Sequence, residues 1–235
     1  MIKFADDTYL LVPASNIDTS RAELDHISAW ASSNNLVLNR SKSKEFIFYS
    51  SRRHKQQAVV EPLPGIERLS SSKCLGVTLS VDFSINDHVS EVVSTCNSSL
   101  FAMRVLRTKG LPTPHLFSVF NALILGRLLY AIPFWWGLAS TSDKDRLEAV
   151  LRKAKKANLC DPTIDFNDRV ARVEDRLLSR IVENPNHVLH EYLPPRRASC
   201  RSLRSSGTLR DFVLPQKTTL YSKLFPYRLL YAKSY

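Results

Sequence analysis

The sequence predicts an α+β protein with its strands in the first third and helices in most of the remainder. Short apolar runs of two-residue period occur up to about residue 80, and a 3.6-residue hydrophobic period begins near residue 85. Hydrophobic residues make up 44% of the 235 residues, which is enough to bury a core. We expect a strand-containing region at 1–84, a helical region at 85–182 and a basic tail at 183–235.

The region 1–84 begins with a predicted β-hairpin. Apolar runs at 2–4 and 9–12 flank the acidic pair Asp6-Asp7, which places the two carboxylates at the tip. A helix is expected at 16–35, because apolar side chains at 24, 27, 30 and 31 fall on one face. Further strands are expected near 36–38 and 45–49, with a second hairpin formed by 65–69 and 74–79. Together the strands would form a small antiparallel sheet packed on the helix.

Helical periodicity dominates the middle of the chain. Helices are predicted at 86–109, 114–137 with a bend near Pro133, 142–159 and 173–182. Beyond residue 184, the Pro-, Ser- and Arg-rich composition predicts irregular, partly disordered structure. The terminal aromatic residues could dock back on the body; they are Tyr221, Phe225, Tyr227 and Tyr231.

The segment 116–139 is apolar enough to raise the possibility of a membrane span. Its only charge, Arg127, lies near the centre, where insertion would cost about 2.5–3.5 kcal/mol. We therefore interpret the segment as a buried helix of a globular domain without a membrane partner, with a membrane span as the less favoured alternative. The first residues do not resemble a signal peptide, and the four cysteines are widely spaced, so we expect an intracellular protein, cytoplasmic or nuclear.

The charge balance points to an acidic partner. The net charge is +11 and the isoelectric point is near 9.7, values that are typical of nucleic-acid-binding proteins and are also found in basic proteins without such a role. Basic side chains recur in clusters on the predicted helices, a pattern suited to phosphate contacts. The clusters expected to bind nucleic acid are Arg104, Arg107 and Lys109, and Arg152, Lys153, Lys155 and Lys156.

Three motifs in order resemble the reverse transcriptases of non-LTR (LINE-type) retrotransposons. Phe4-Ala5-Asp6-Asp7 resembles the catalytic hairpin of that family, and the run 36–44, with Asn39 and Lys42, resembles the motif that follows it. Lys73-Cys74-Leu75-Gly76-Val77 with His88-Val89 resembles the segment that forms the primer-gripping hairpin and opens the thumb. The resemblance covers nearly the whole chain and is more specific before residue 90.

The resemblance implies a partial palm followed by a helical thumb. It implies that Asp6 and Asp7 hold Mg²⁺ for phosphoryl transfer, that Lys42 is a general acid, and that Cys74, Leu75 and Gly76 contact the primer end. RNA template and DNA primer would be the partners, while the oligomeric state is not indicated. Only five residues precede Asp6, so the family's fingers and upstream palm aspartate have no counterpart here. We therefore expect a truncated RNA-directed DNA polymerase that is inactive alone but retains nucleic-acid binding; a non-catalytic nucleic-acid-binding module is the alternative.

Overall fold

The computed structural model describes residues 1–5, 7–49, 60–196 and 212–233. The chain is mixed α and β and about half helical, which confirms the predicted α+β class. It divides into two compact units, one formed by Met1–Ser72 with Ser80–Asp82 and the other by Lys73–Leu79 with Phe83–Tyr235.

The first unit opens with a hairpin, as predicted. Strand β1 (Ile2–Phe4) pairs antiparallel with β2 (Asp7–Tyr9), so the second strand begins two residues earlier than the apolar run indicated. A 3₁₀ helix at Ala14–Thr19 leads into helix α1 (Ser20–Ser33). Leu24 and Ala31 are buried on this helix but Trp30 is 52% exposed, so the buried stripe is narrower than the periodicity predicted.

Two charged dipeptides form the next strand pair. Strand β3 (Lys44–Glu45) runs parallel to β4 (Glu67–Arg68), and each strand residue is ion-paired across the ladder. Lys44 Nζ lies 2.5 Å from Glu67 Oε2, and Arg68 Nε lies 2.7 Å from Glu45 Oε2. The strand predicted at 36–38 is wrong: Val37 is 93% exposed, so this apolar run has no surface to pack on.

The second hairpin joins different residues from those predicted. Strand β5 (Ser71–Cys74) pairs with β6 (Val77–Ser80) across a two-residue turn, whereas 65–69 had been expected as the partner of 74–79. Leu75 and Gly76 both have positive φ, the conformation that closes a two-residue hairpin. The described strands therefore form three separate pairs, one of them parallel, and the prediction of one antiparallel sheet is wrong.

Helices make up most of the second unit. The predicted helices at 86–109 and 142–159 are confirmed to within three residues. The helix predicted at 173–182 begins earlier, because the Asp165 side chain caps its start and accepts from the Asp168 amide at 2.8 Å. In chain order the helices are α2 (Asn86–Thr108), α3 (Thr113–Phe120), α4 (Gly126–Leu128), α5 (Ile132–Trp135), α6 (Thr141–Lys156), α7 (Phe166–Glu183) and α8 (Tyr227–Lys233).

The apolar stretch from α3 to α5 supplies the centre of the main core. By length and composition, Thr113–Trp135 could cross a membrane. In the folded chain it is interrupted by a π-helical turn at Asn121–Leu125 and by Ala131 at φ 50°. Pro133 lies in the first turn of α5, where a proline breaks no hydrogen bond of the helix. Side chains from this stretch are fully buried in the core; they include Leu116, Phe120, Ile124, Leu128, Ile132 and Trp135.

The C-terminal residues are docked where an irregular tail was expected. Phe212, Leu229 and Leu230 pack on Leu178 and Val182 of α7 to form a second, smaller core. The docking proposed for the terminal aromatics holds for Tyr231, which is buried and donates a hydrogen bond to the Pro215 carbonyl at 2.8 Å. The most Arg- and Ser-rich part of the tail, 197–211, lies outside the described residues.

Candidate nucleic-acid interface

The β1–β2 hairpin brings the acidic motif to a tight turn. Phe4 pairs with Asp7, and Ala5 has φ 52°; Asp6 lies outside the described residues. Asp7 begins β2 and is exposed. Its carboxylate is available to a hard cation such as Mg²⁺, which prefers oxygen ligands. Among the described residues no group of three His, Cys, Asp or Glu side chains lies close enough to hold a metal ion.

Lys42 lies on an exposed turn of the first unit. Asn39 organises this turn, since its side-chain oxygen accepts from the Lys42 amide at 3.1 Å and its backbone oxygen accepts from the Ser43 amide at 3.0 Å. Two of its basic neighbours are ion-paired, Arg40 with Asp25 at 3.4 Å and Lys44 with Glu67. The Lys42 side chain is exposed.

The Leu75–Gly76 turn, which the sequence marks as primer-grip-like, is covered by an aromatic side chain. The Tyr130 hydroxyl donates to the Leu75 carbonyl at 2.9 Å, and its ring lies over Gly76. A Cβ added to Gly76 would meet Tyr130 Cε1 at 3.1 Å. Cys74 and Leu75 are exposed, so the outer side of the turn is open to solvent.

His88 contacts the same hairpin from helix α2. Its side chain is 4% exposed, and Nδ1 accepts from the Thr78 amide at 3.4 Å. Burial lowers the pKa of His88; the Glu91 carboxylate acts in the opposite direction and the Lys73 ammonium reinforces the lowering. Lys73 and Glu91 are themselves ion-paired at 2.5 Å and link the hairpin to α2. His88 is therefore in direct contact with Thr78, the residue that follows the Lys73–Val77 motif.

Helices α2 and α6 pack side by side in parallel. Arg146 near the start of α6 donates to Asn86 at 3.0 Å and to Ser90 at 2.8 Å, both near the start of α2. Lys153 donates to Asn97 at 3.2 Å, and Arg107 donates to the Ala157 carbonyl just beyond α6. Because the partners advance together along both helices, the two helices end at the same place.

This parallel packing brings together two basic clusters that are far apart in the sequence. All seven side chains predicted to bind nucleic acid lie in the last turns of α2 or α6 or directly after them. Six of the seven are exposed, and Lys155 is partly buried. The seven are Arg104, Arg107, Lys109, Arg152, Lys153, Lys155 and Lys156. We call this set the basic helix end. Arg152 is 3.7 Å from Glu148, and its side chain remains 65% exposed.

Three residues that organise these features were not singled out from the sequence. Tyr130 and Trp135 belong to the apolar stretch 116–139, where nothing distinguishes an aromatic that caps a turn from one that fills the core. Arg146 is one of many arginines, and only the fold shows that it crosslinks α2 and α6. Comparison of the chain with models of protein families, with curated proteins and with solved structures gave no match.

Proposed function

We propose that this chain is the C-terminal part of a non-LTR retrotransposon reverse transcriptase and that it binds a nucleic-acid duplex through the basic helix end. The observation that carries the binding proposal is the parallel packing of α2 and α6, which gathers seven basic side chains from two distant segments at one place. The reverse-transcriptase assignment is supported by the order of its three motifs along the chain.

The chemistry of the basic helix end suits a polyphosphate backbone. Its ammonium and guanidinium groups are largely exposed; Arg152 lies 3.7 Å from Glu148, and Lys155 interacts electrostatically with Asp161. Such groups neutralise phosphates and release counterions, which makes the affinity fall with salt. Contacts of these groups to phosphates carry no sequence information, so binding through them should be insensitive to sequence.

The palm and thumb assignments support the same proposal. The hairpin carrying Asp7 and the hairpin carrying Leu75 and Gly76 have the order and type expected of a catalytic hairpin and a primer grip. The basic helix end belongs to the helices that follow, where a thumb would track the duplex. RNA template and DNA primer are the partners that this assignment proposes, with Mg²⁺ at Asp6 and Asp7 as its cofactor.

The test is the salt dependence of binding to a blunt RNA–DNA heteroduplex. The logarithm of the association constant should fall linearly with the logarithm of salt between about 0.05 and about 0.2 M, with a slope of about 0.9 for each phosphate contact. Replacing Arg152, Lys153, Lys155 and Lys156 by Ala should weaken binding at low salt and flatten the slope by up to about three or four.

A matched variant controls for the loss of net charge. Replacing Arg169, Arg172, Arg176 and Arg180 of α7 by Ala removes the same number of cations from a different helix. This control should keep most of the wild-type slope. If both variants lose the same slope, binding depends only on net charge and the basic helix end is not the interface.

A nucleic-acid-binding module without polymerase chemistry is the second candidate, and the same basic surface supports it. The two candidates predict the same salt dependence. Neither is expected to extend a primer with this chain alone, but extension that depends on Asp6 and Asp7 would exclude the non-catalytic module.

A further inference from the structure

The hairpin that carries the Leu75–Gly76 turn is part of a closed ring of contacts. Starting at the tip, the Leu75 carbonyl accepts from the Tyr130 hydroxyl at 2.9 Å, and the Tyr130 carbonyl accepts from Trp135 Nε1 at 2.9 Å. The Trp135 ring then meets the His88 ring edge-on, with centroids 5.3 Å apart and an interplanar angle of 73°. His88 Nδ1 closes the ring by accepting from the Thr78 amide, back on the hairpin.

The ring holds the hairpin at two separate points. Tyr130 holds the tip, while His88 holds strand β6, and Trp135 joins these two residues. Trp135 has no exposed surface and His88 is 4% exposed, so the connecting residues are fixed by the core. A two-stranded hairpin is only marginally stable by itself, so its position depends on such external contacts.

The turn itself is shaped to fit beneath Tyr130. Leu75 and Gly76 adopt φ of 46° and 84°, and a Cβ on Gly76 would press on the Tyr130 ring at 3.1 Å. One side of the turn is therefore covered by protein. The other side, with Leu75 at 42% exposure and the exposed Cys74, faces outward.

We infer that Tyr130, Trp135 and His88 are positioning residues that fix the Leu75–Gly76 turn as a contact for a nucleic-acid strand. The inference rests on the proposed function, which puts the primer strand at this turn. The ring explains why the turn can hold one position although it lies at the end of a short, exposed hairpin.

The His88 contact makes the ring sensitive to pH. Neutral His88 accepts at Nδ1, whereas the imidazolium carries an N–H there and would face the Thr78 N–H donor to donor. The charged groups around it are Glu91 on its own helix and Lys73 on β5, which pair with each other. Because burial keeps the pKa of folded His88 below its ordinary value, this contact is complete above about pH 6.5 and weakens as the pH falls below it.

Amide hydrogen exchange of the 73–79 segment tests the positioning role. Tyr130→Phe removes one hydroxyl, and exchange should become about fivefold faster, the factor that corresponds to about 1 kcal/mol for one hydrogen bond. Tyr227→Phe is the matched control, since the Tyr227 hydroxyl also donates to a backbone carbonyl, that of Tyr192 at 3.2 Å, and should leave 73–79 unchanged.

The pH arm separates the ring from general loosening. After correction for intrinsic exchange, wild-type 73–79 should keep its protection above about pH 6.5 and lose it as the pH falls below that value. His88→Gln, which keeps an acceptor at every pH, should abolish this dependence. Unchanged exchange in Tyr130→Phe, or equal pH dependence in His88→Gln and wild type, would overturn the inference whatever the binding data show.

A crosslinking arm tests the strand contact separately. A photoreactive maleimide attached at exposed Cys74 in a Cys200→Ser background reports contact with a heteroduplex. Cys96 and Cys160 should not react with the maleimide, because they are buried and burial raises the pKa of each thiol to about 11. Crosslinking that declines in Tyr130→Phe supports both the ring and the strand contact. Faster exchange in Tyr130→Phe without crosslinking even in wild type would keep the ring and overturn the proposed placement of the strand.

Discussion

Gly76 and Gly110 have almost the same backbone conformation in different surroundings. Their φ angles are 84° and 89°, a region where an L-residue costs about 1–2 kcal/mol. A Cβ at Gly76 would lie 3.1 Å from Tyr130, whereas nothing lies within 4 Å of one at Gly110. Gly110→Ala should therefore lose about 1 kcal/mol of unfolding free energy in urea, and Gly76→Ala distinctly more because Tyr130 must move. Equal losses would show that Tyr130 does not press on the turn.

Single residues also show where sequence reasoning stops. Local signals placed Asp7 in the first hairpin, and the described structure has it beginning β2, paired with Phe4. They placed Leu75 and Gly76 inside a strand, whereas these two residues form the turn of the second hairpin. Tyr130 was missed because its role depends on a contact 55 residues away, which no local pattern encodes. The roles of Asp6, Asp7 and Lys42 in chemistry remain predictions, since they follow from the resemblance and not from the fold.

At the scale of elements, α8 is fixed to α7 by a buried ion pair and an exposed one. Glu174 of α7 is 3% exposed and receives two hydrogen bonds from Arg228. Asp175, the next residue, is 50% exposed at its side chain and pairs with Lys233 at 2.6 Å. The two pairs join the same helices but differ in burial and in their number of hydrogen bonds, so they should contribute unequally to stability.

Removing each cation provides the measurement. Arg228→Ala leaves a buried carboxylate without its partner and should cost about 3–5 kcal/mol of unfolding free energy. Lys233→Ala removes an exposed pair and should cost less than about 1 kcal/mol. The two free energies come from urea denaturation at neutral pH. If Arg228→Ala costs no more than Lys233→Ala, α8 does not depend on the buried pair.

The elements differ in how far local sequence predicts them. Helices α2 and α6 were placed to within three residues, because their apolar stripes repeat over four turns or more and the packing agrees with the pattern. The strands were harder because a strand needs a partner, and β3 and β4 join through ion pairs between segments about 20 residues apart. Helix α8 was missed because the Pro- and Ser-rich sequence before it does not indicate that Leu229 and Leu230 pack on Leu178 and Val182 of α7.

At the scale of the whole molecule, the fold determines where the basic residues behind the net charge of +11 are concentrated. The sequence predicts basic clusters around 104–109 and 152–156 but not that they meet, since this requires α2 and α6 to lie parallel. A chain reversal between neighbouring helices would have put the clusters at opposite ends. The intervening elements α3 to α5 allow the parallel arrangement by carrying the chain back through the core.

This chain is not expected to polymerise DNA by itself. Two-metal phosphoryl transfer needs carboxylates from more than one strand and an aligned nucleotide, and alignment can supply about 7–11 kcal/mol of the barrier. In the described residues the β1–β2 pair has no third strand beside it, and Asp7 is exposed. A polypeptide of these 235 residues should therefore not extend oligo(dT) on poly(rA) with dTTP and either Mg²⁺ or Mn²⁺. The control is Asp6→Ala/Asp7→Ala, which should give the same background. Extension by the wild-type chain that disappears in this double variant would show that the hairpin completes a working site, for instance with a second copy of the chain.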